Sequence, residues 1–135
     1  MKKKKFYTIH EKLGAKIVDF AGYKMPIQYS SIIAEHKAVR TSVGVFDVSH
    51  LGEIFIRGNK ALDFIQHITI NDASVLTNGR VQYSAMCYKD GGIVDDLLVY
   101  RIDEKEFLLV VNASNKDKDY AWMKENNIFD VEISD

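Results

Sequence analysis

Val81-Gln82-Tyr83-Ser84-Ala85-Met86-Cys87-Tyr88-Lys89-Asp90-Gly91-Gly92-Ile93-Val94-Asp95-Asp96-Leu97-Leu98-Val99-Tyr100-Arg101-Ile102 contains two apolar-rich runs on either side of a reversal. The run from Val81 to Tyr88 predicts one strand and Ile93 to Ile102 a second. Asp90-Gly91-Gly92 supplies the turn chemistry between them. A third strand is expected over Phe107 to Asn112, joined by the charged Asp103-Glu104-Lys105-Glu106. Beyond it, Ala113 to Asn126 predicts a helix carrying Tyr120, Ala121 and Trp122, and Val131 to Ile133 a last short strand. Upstream, Glu53 to Arg57 alternates as a strand and is closed by Gly58-Asn59. Ala61, Leu62, Phe64, Ile65 and Ile68 recur at helical spacing within Lys60 to Ile68, and Asn71 to Gly79 is polar and turn-like. The order is strand, helix, three strands, helix, strand, an α+β sheet layered with two helices.

The first 50 residues show one clear helix, about Ile32 to Ser42, with Ser31 as N-cap and Gly44 as stop. Ile32, Ile33, Val39 and Val43 are expected on one face, with Glu35, Lys37 and Arg40 more exposed. Asp19 to Pro26 predicts a short extended piece and a turn. No strand set of its own is evident there, so this segment is expected to pack against structure outside itself, which these 135 residues need not contain.

The 135 residues carry 18 Lys and Arg against 19 Asp and Glu, a formal charge of -1. That balance lacks the clustered basic excess of a nucleic-acid binder. Lys2 to Lys5 is expected to be a solvated, frayed end, and Phe6 to Glu11 supplies no signal-peptide core. The single cysteine, Cys87, excludes an internal disulfide and fits a reducing cytoplasm; it is expected to be a small core residue. Histidines 10, 36, 50 and 67 lack metal-ligand spacing, so no metal site is expected.

Asp95 and Asp96 are the unusual feature. They interrupt an apolar run, and strand alternation sends them to opposite faces. Asp96 would share a face with Val94, Leu98 and Tyr100; Asp95 with Ile93, Leu97 and Val99. A carboxylate among apolar neighbours is paired, hydrogen-bonded or functional. One reading is structural: a bulge after Gly91-Gly92 brings both carboxylates to the sheet edge. The other is that Asp96, Leu98 and Tyr100 line a pocket where the carboxylate binds or deprotonates an amine. Tyr83 could stack on a ligand ring and Asn112 could hydrogen-bond one; taken alone, a half-buried tyrosine and a helix-capping asparagine serve as well. Phe46-Asp47-Val48-Ser49-His50 has the residue types of a hydrolase triad, but neighbours in sequence do not converge as one.

Taken in order, several stretches resemble one family. They are Leu13 to Gly22, Met25-Pro26-Ile27-Gln28-Tyr29, Glu35 to Arg40, Val43 to His50, Gln82-Tyr83-Ser84, Gly91 to Leu97 and Val110-Val111-Asn112-Ala113. The chain is similar, from about residue 6 to its end, to the T protein of the glycine cleavage system, a tetrahydrofolate-dependent aminomethyltransferase. The resemblance implies transfer of a methylene from the aminomethyl-lipoyl arm of H protein to tetrahydrofolate, with release of ammonia. It implies Asp96 as the catalytic carboxylate beside folate N10. It also implies a folate pocket that includes Leu51, Tyr83, Asp96, Leu98, Tyr100 and Asn112. The partners implied are lipoylated H protein and tetrahydrofolate, with no nucleic acid and no membrane, in a bacterial cytoplasm.

It further implies that residues 1–51 are the N-terminal segment of a split folate-binding domain. Residues 52–135 are then an inserted lobe, α+β and ferredoxin-like, with a mostly antiparallel sheet. Members of the family are much longer, so the chain is expected to be a fragment, incomplete or inactive alone and open to self-association. Leu51 stands where the family commonly has Met, Tyr23 where it has Trp, and Ile70 where it has Thr. Alternatives are a non-catalytic folate-pocket fragment, the folate-handling part of a dimethylglycine or sarcosine oxidising enzyme, or an iron–sulfur assembly relative.

Overall fold

The structure is a computed structural model that describes residues 1–135. The chain packs as two compact units, Met1–His50 and Leu51–Asp135.

The first unit has a sheet that the sequence reading did not anticipate. Strands β1 (Lys2–Lys3), β2 (Lys16–Phe20) and β3 (Tyr23–Gln28) lie in the order β1-β3-β2. β2 and β3 form an antiparallel hairpin in which Phe20 faces Tyr23. Its two turn residues, Ala21 and Gly22, both have positive φ, 48° and 80°, the signature of a tight turn that follows strand twist. Pro26 sits in the central strand, but β1 pairs only with Tyr23 and Lys24. The proline's missing N–H therefore falls where that edge is free. The lysine run is not a frayed end: Lys2 and Lys3 pair in β1, and Lys4 is buried.

Helices α1 (Tyr7–Lys12) and α2 (Ile32–Thr41) complete the unit. Ser31 caps α2 by accepting from the Ala34 N–H. Oε1 of Glu35 accepts from the N–H groups of Tyr29, Ser30 and Ser31, which holds its carboxyl below the usual range. Glu35 is thus turned toward the chain. The apolar residues Ile32, Ile33, Val39 and Val43 are exposed instead, and nothing on α2 is buried.

The second unit is α+β. Strands β4 (Gly52–Arg57), β5 (Val81–Cys87), β6 (Ile93–Arg101), β7 (Glu106–Val111) and β8 (Glu132–Ser134) form one sheet, ordered β5-β6-β7-β4-β8, with every pair antiparallel. Strands β6, β7, β4 and β8 reproduce the ferredoxin-like order, with β5 added as a hairpin at one edge. Helices α3 (Ala61–Ile68) and α4 (Lys116–Glu125) complete the layer arrangement. Ile54, Ile56, Leu97, Val99, Phe107, Leu109 and Val111 alternate onto a buried face with Phe64, Ile65, Ile68 and Met123. Burial of that apolar set is the main drive for this unit. The other face carries Phe55, Tyr83, Asp96, Leu98, Tyr100, Leu108 and Val110, all partly or largely accessible. Cys87 lies on the edge strand and is half-buried, outside the core.

Candidate functional site

The accessible face of the second sheet gathers most of the sequence-predicted residues. The reversal at Tyr88–Gly92 uses Gly91 at φ 89°, and the ladder slips once after it. Met86 faces Asp95 while Cys87 faces Ile93, leaving Val94 as the extra residue of a bulge. The bulge lies in an interior strand, so the two carboxylates are not at the sheet edge. Past it, alternation is regular: Asp95, Leu97 and Val99 are buried, while Asp96, Leu98 and Tyr100 line the accessible face. Val94 belongs to the core rather than to the Asp96 face.

Asp96 is held from both sides. Tyr83, diagonally across the β5–β6 pair, donates its hydroxyl to Oδ2 at 2.7 Å. Asn112, just past β7, donates its amide to Oδ1 at 3.0 Å. That amide also lies 3.1 Å from Oδ1 of Asp95, so one side chain ties both carboxylates together. Asn112 does not cap α4; the N-cap position is Asn115. Donation to Asp96, with burial and the nearby carboxylates, raises the Tyr83 hydroxyl above its ordinary pKa. An ionised carboxylate has about four acceptor positions, so these bonds leave Asp96 capacity for a ligand N–H. Tyr83 is 63% exposed and offers a ring face beside it. Leu51 precedes Gly52, which pairs with Val111, and so lies at the same end of the sheet as Asn112.

Beneath this face lies a residue that the sequence reading missed. Asp119 of α4 is 0% exposed, and its carboxyl is within hydrogen-bonding reach of Asp95. Burial, then the hydrogen bond and charge of Asp95, push Asp119 up to about 7. Burial also opposes the charge on Asp95, but hydrogen bonds from Asp119, Asn112 and Asn115 outweigh it and hold Asp95 low.

In the first unit, Asp47 does not pair with His50. Its Oδ2 meets Nε2 of His10 at 2.7 Å, and Nδ1 of His10 meets the Tyr29 hydroxyl at 2.7 Å. Lys4 lies 3.5 Å from the same carboxylate oxygen and donates to the Asp47 carbonyl. Burial opposes the charge on Asp47, but bonds from Ser49 and His10 and the charge of Lys4 hold it well below the usual carboxylate range. Residues scattered over positions 4, 10, 29 and 47 give no motif, so no sequence pattern marks this cluster.

Two hollows lie away from the Asp96 face. One of about 560 Å³ is lined by His67, Cys87, Tyr88, Lys89, Asp90 and Trp122. Another, also about 560 Å³, lies in the first unit between Phe6, Ile9, Leu13, Tyr29, Val45 and Phe46.

Residues 6–135 match the family described as GCVT N-terminal domain. The chain belongs to that family. It is 56% identical over 126 residues to an aminomethyltransferase of Chlorobium limicola, covering 93% of this chain and 35% of that relative. It is 53% identical over 133 residues to the aminomethyltransferase of Bacillus subtilis, covering 98% and 37%. The crystal structure of the glycine cleavage system aminomethyltransferase T from Bartonella henselae superposes with a TM-score of 0.91 at 36% identity, over 98% of this chain and 37% of that one. The chain therefore spans about a third of the length of the relatives it matches. The resemblance read from the sequence stands, and with it the α+β fold. No helix is long and apolar enough to cross a membrane.

Proposed function

We propose that this chain supplies the folate-facing sheet of a tetrahydrofolate-dependent aminomethyltransferase. In this reading the complete protein takes the aminomethyl group from the lipoyl arm of H protein, passes its methylene to tetrahydrofolate and releases ammonia, in a bacterial cytoplasm. The observation that carries the reading is the Tyr83–Asp96–Asn112 cluster on the accessible sheet face. It presents a carboxylate between an aromatic ring and apolar side chains, as an amine within a flat heteroaromatic ligand requires. Asp96 accepts the amine N–H and takes up its proton as the nitrogen reacts. Tyr83 stacks on the ring, and Leu98, Tyr100 and Leu51 give the ligand an apolar wall. Asn112 fixes the carboxylate's rotamer, so the acceptor is aimed before the ligand arrives. In the same reading, residues 1–51 are one segment of a split folate-binding domain and residues 52–135 a lobe inserted in it.

The test is a calorimetric titration of tetrahydrofolate into the 135-residue chain, with Asp96→Asn beside it. Saturable binding that weakens in the variant is expected. Equal binding by both proteins sinks the assignment of Asp96.

A further inference from the structure

Three buried carboxyl oxygens sit directly under the proposed folate face without a donor from any other residue: both oxygens of Asp119 and Oδ2 of Asp95. Two carboxyl groups that face each other at hydrogen-bonding distance cannot both be ionised without strong repulsion in a medium of low polarity. The ionisable groups acting on Asp119 are Asp95, across on β6, and Lys118 on its own helix. Lys118 offsets the conflict only in part. Its Nζ stands 3.7 Å from Asp119 Oδ1 and is 2.5 Å from the Val94 carbonyl, which it bonds instead. A single proton between the two carboxyls relieves the repulsion and gives two of the three oxygens a partner.

We propose that Asp119 and Asp95 share one proton, and that this bond makes Asp119 a positioning residue for Asp96, acting through Asn112. The path is continuous. Asp119 donates to Asp95; the other oxygen of Asp95 accepts from the Asn112 amide at 3.1 Å; that same amide holds Asp96 Oδ1 at 3.0 Å. Loss of the shared proton turns Asp95 away from a now anionic Asp119 and shifts the acceptor that orients Asn112. Burial and the Asp95 charge put that loss near neutral pH. The role in orienting Asp96 toward an amine rests on the function proposed above; the shared proton does not.

The experiment is a pH titration of the 135-residue chain by NMR, following the carboxyl carbons of Asp119 and Asp95 and the side-chain amide of Asn112. Expected is an Asp119 carboxyl that titrates near neutrality, with the Asn112 amide moving at the same midpoint. Asp119→Asn, which keeps shape and an N–H donor, should abolish the Asn112 shift while its spectrum otherwise stays folded. Asp95→Asn should lower the Asp119 midpoint. An Asp119 that titrates in the ordinary carboxylate range overturns the shared proton. An Asn112 amide indifferent to the Asp119 titration, or still shifting in Asp119→Asn, overturns the positioning role. Tetrahydrofolate affinity, measured across the same pH range, should fall with the Asp119 midpoint in the parent and be flat there in Asp119→Asn. Absence of folate binding beside an intact Asp119–Asn112 coupling counts against the proposed function alone.

Discussion

Tyr83 Oη donates to Asp96 Oδ2 over 2.7 Å while the residue remains 63% exposed. The hydroxyl is committed to the carboxylate, and the ring is free for a ligand. These two uses separate by substitution. Tyr83→Phe keeps the ring and loses one donor to Asp96; Tyr83→Ala loses both. Tetrahydrofolate affinity should drop more in Tyr83→Ala than in Tyr83→Phe, by roughly the 0.5–1.5 kcal/mol of an aromatic contact. Calorimetric titration of the two variants reads the difference. Equal affinities would remove the ring from the ligand's environment.

The Asp119 carboxyl makes stability pH-dependent in a definite direction. Its folded-state pKa, about 7, lies above the model-peptide value of 3.8. Between those values the folded chain holds a proton that the unfolded chain has released. Stability of the second unit should therefore fall as pH rises from about 4 to about 7, with a slope of up to roughly 1.4 kcal/mol per pH unit, and level off above. Asp119→Asn removes this slope. Denaturant unfolding followed by the fluorescence of Trp122, the only tryptophan and part of this unit, measures both.

The second unit was legible because its strands alternate and its helices carry apolar stripes. Glu53 to Arg57, Lys60 to Ile68 and Ile93 to Ile102 fall within a residue or so of β4, α3 and β6. The first unit was not, because no residue of its sheet is buried and no alternation of buried and exposed positions marks its strands. β1 is two lysines, β2 buries nothing, and the hairpin turns on Ala21-Gly22 rather than on Asn-Gly. Alternation also grouped Asp96, Leu98 and Tyr100 on one face, and only the bulge at Val94 escaped it. Asp119 was hidden within Lys116-Asp117-Lys118-Asp119, which reads as a solvated run. Its partner four residues on is the fully buried Met123, and that helical spacing was the one available sign that Asp119 faces inward.

Gly52 is required by space rather than by backbone conformation. A Cβ there would stand 2.7 Å from Cγ2 of Val111 and 2.8 Å from Cγ of Lys116. Val111 is a core residue beside Asn112 and cannot retreat freely. Gly52→Ala should cost about 1–3 kcal/mol of stability through overpacking, read in the same fluorescence-detected unfolding. An unchanged midpoint would mean that the β4–β7 pair opens locally at little cost.

Ala21 takes a positive φ of 48° at the tip of the β2–β3 hairpin, where a Cβ is disfavoured by roughly 1–2 kcal/mol. Glycine removes that strain but adds freedom to the unfolded chain. The net expectation for Ala21→Gly is a gain of up to about 1 kcal/mol. Slower hydrogen exchange at the β2–β3 amides reports it, and faster exchange would show that the unfolded-state term dominates.

Asp47 stabilises the first unit through charge. It is buried with Lys4, their side chains 8% and 3% exposed, and it receives His10 on the same oxygen. Removing one member of such a pair strands the other in a poorly solvated site, a loss of about 3–5 kcal/mol. Asp47→Ala should therefore destabilise the first unit far more than Lys4→Met, which removes the partner charge while leaving Asp47 its bonds from Ser49 and His10. The pH dependence runs opposite to that of Asp119. The Asp47 pKa is depressed on folding, so its contribution is complete above the ordinary carboxylate range and is lost as pH falls through and below it. Hydrogen exchange of the β2–β3 amides at neutral and at acidic pH, in the parent and in Asp47→Asn, isolates this term. Protection in the parent should decline with acid, whereas Asp47→Asn should be less protected at neutral pH and change little.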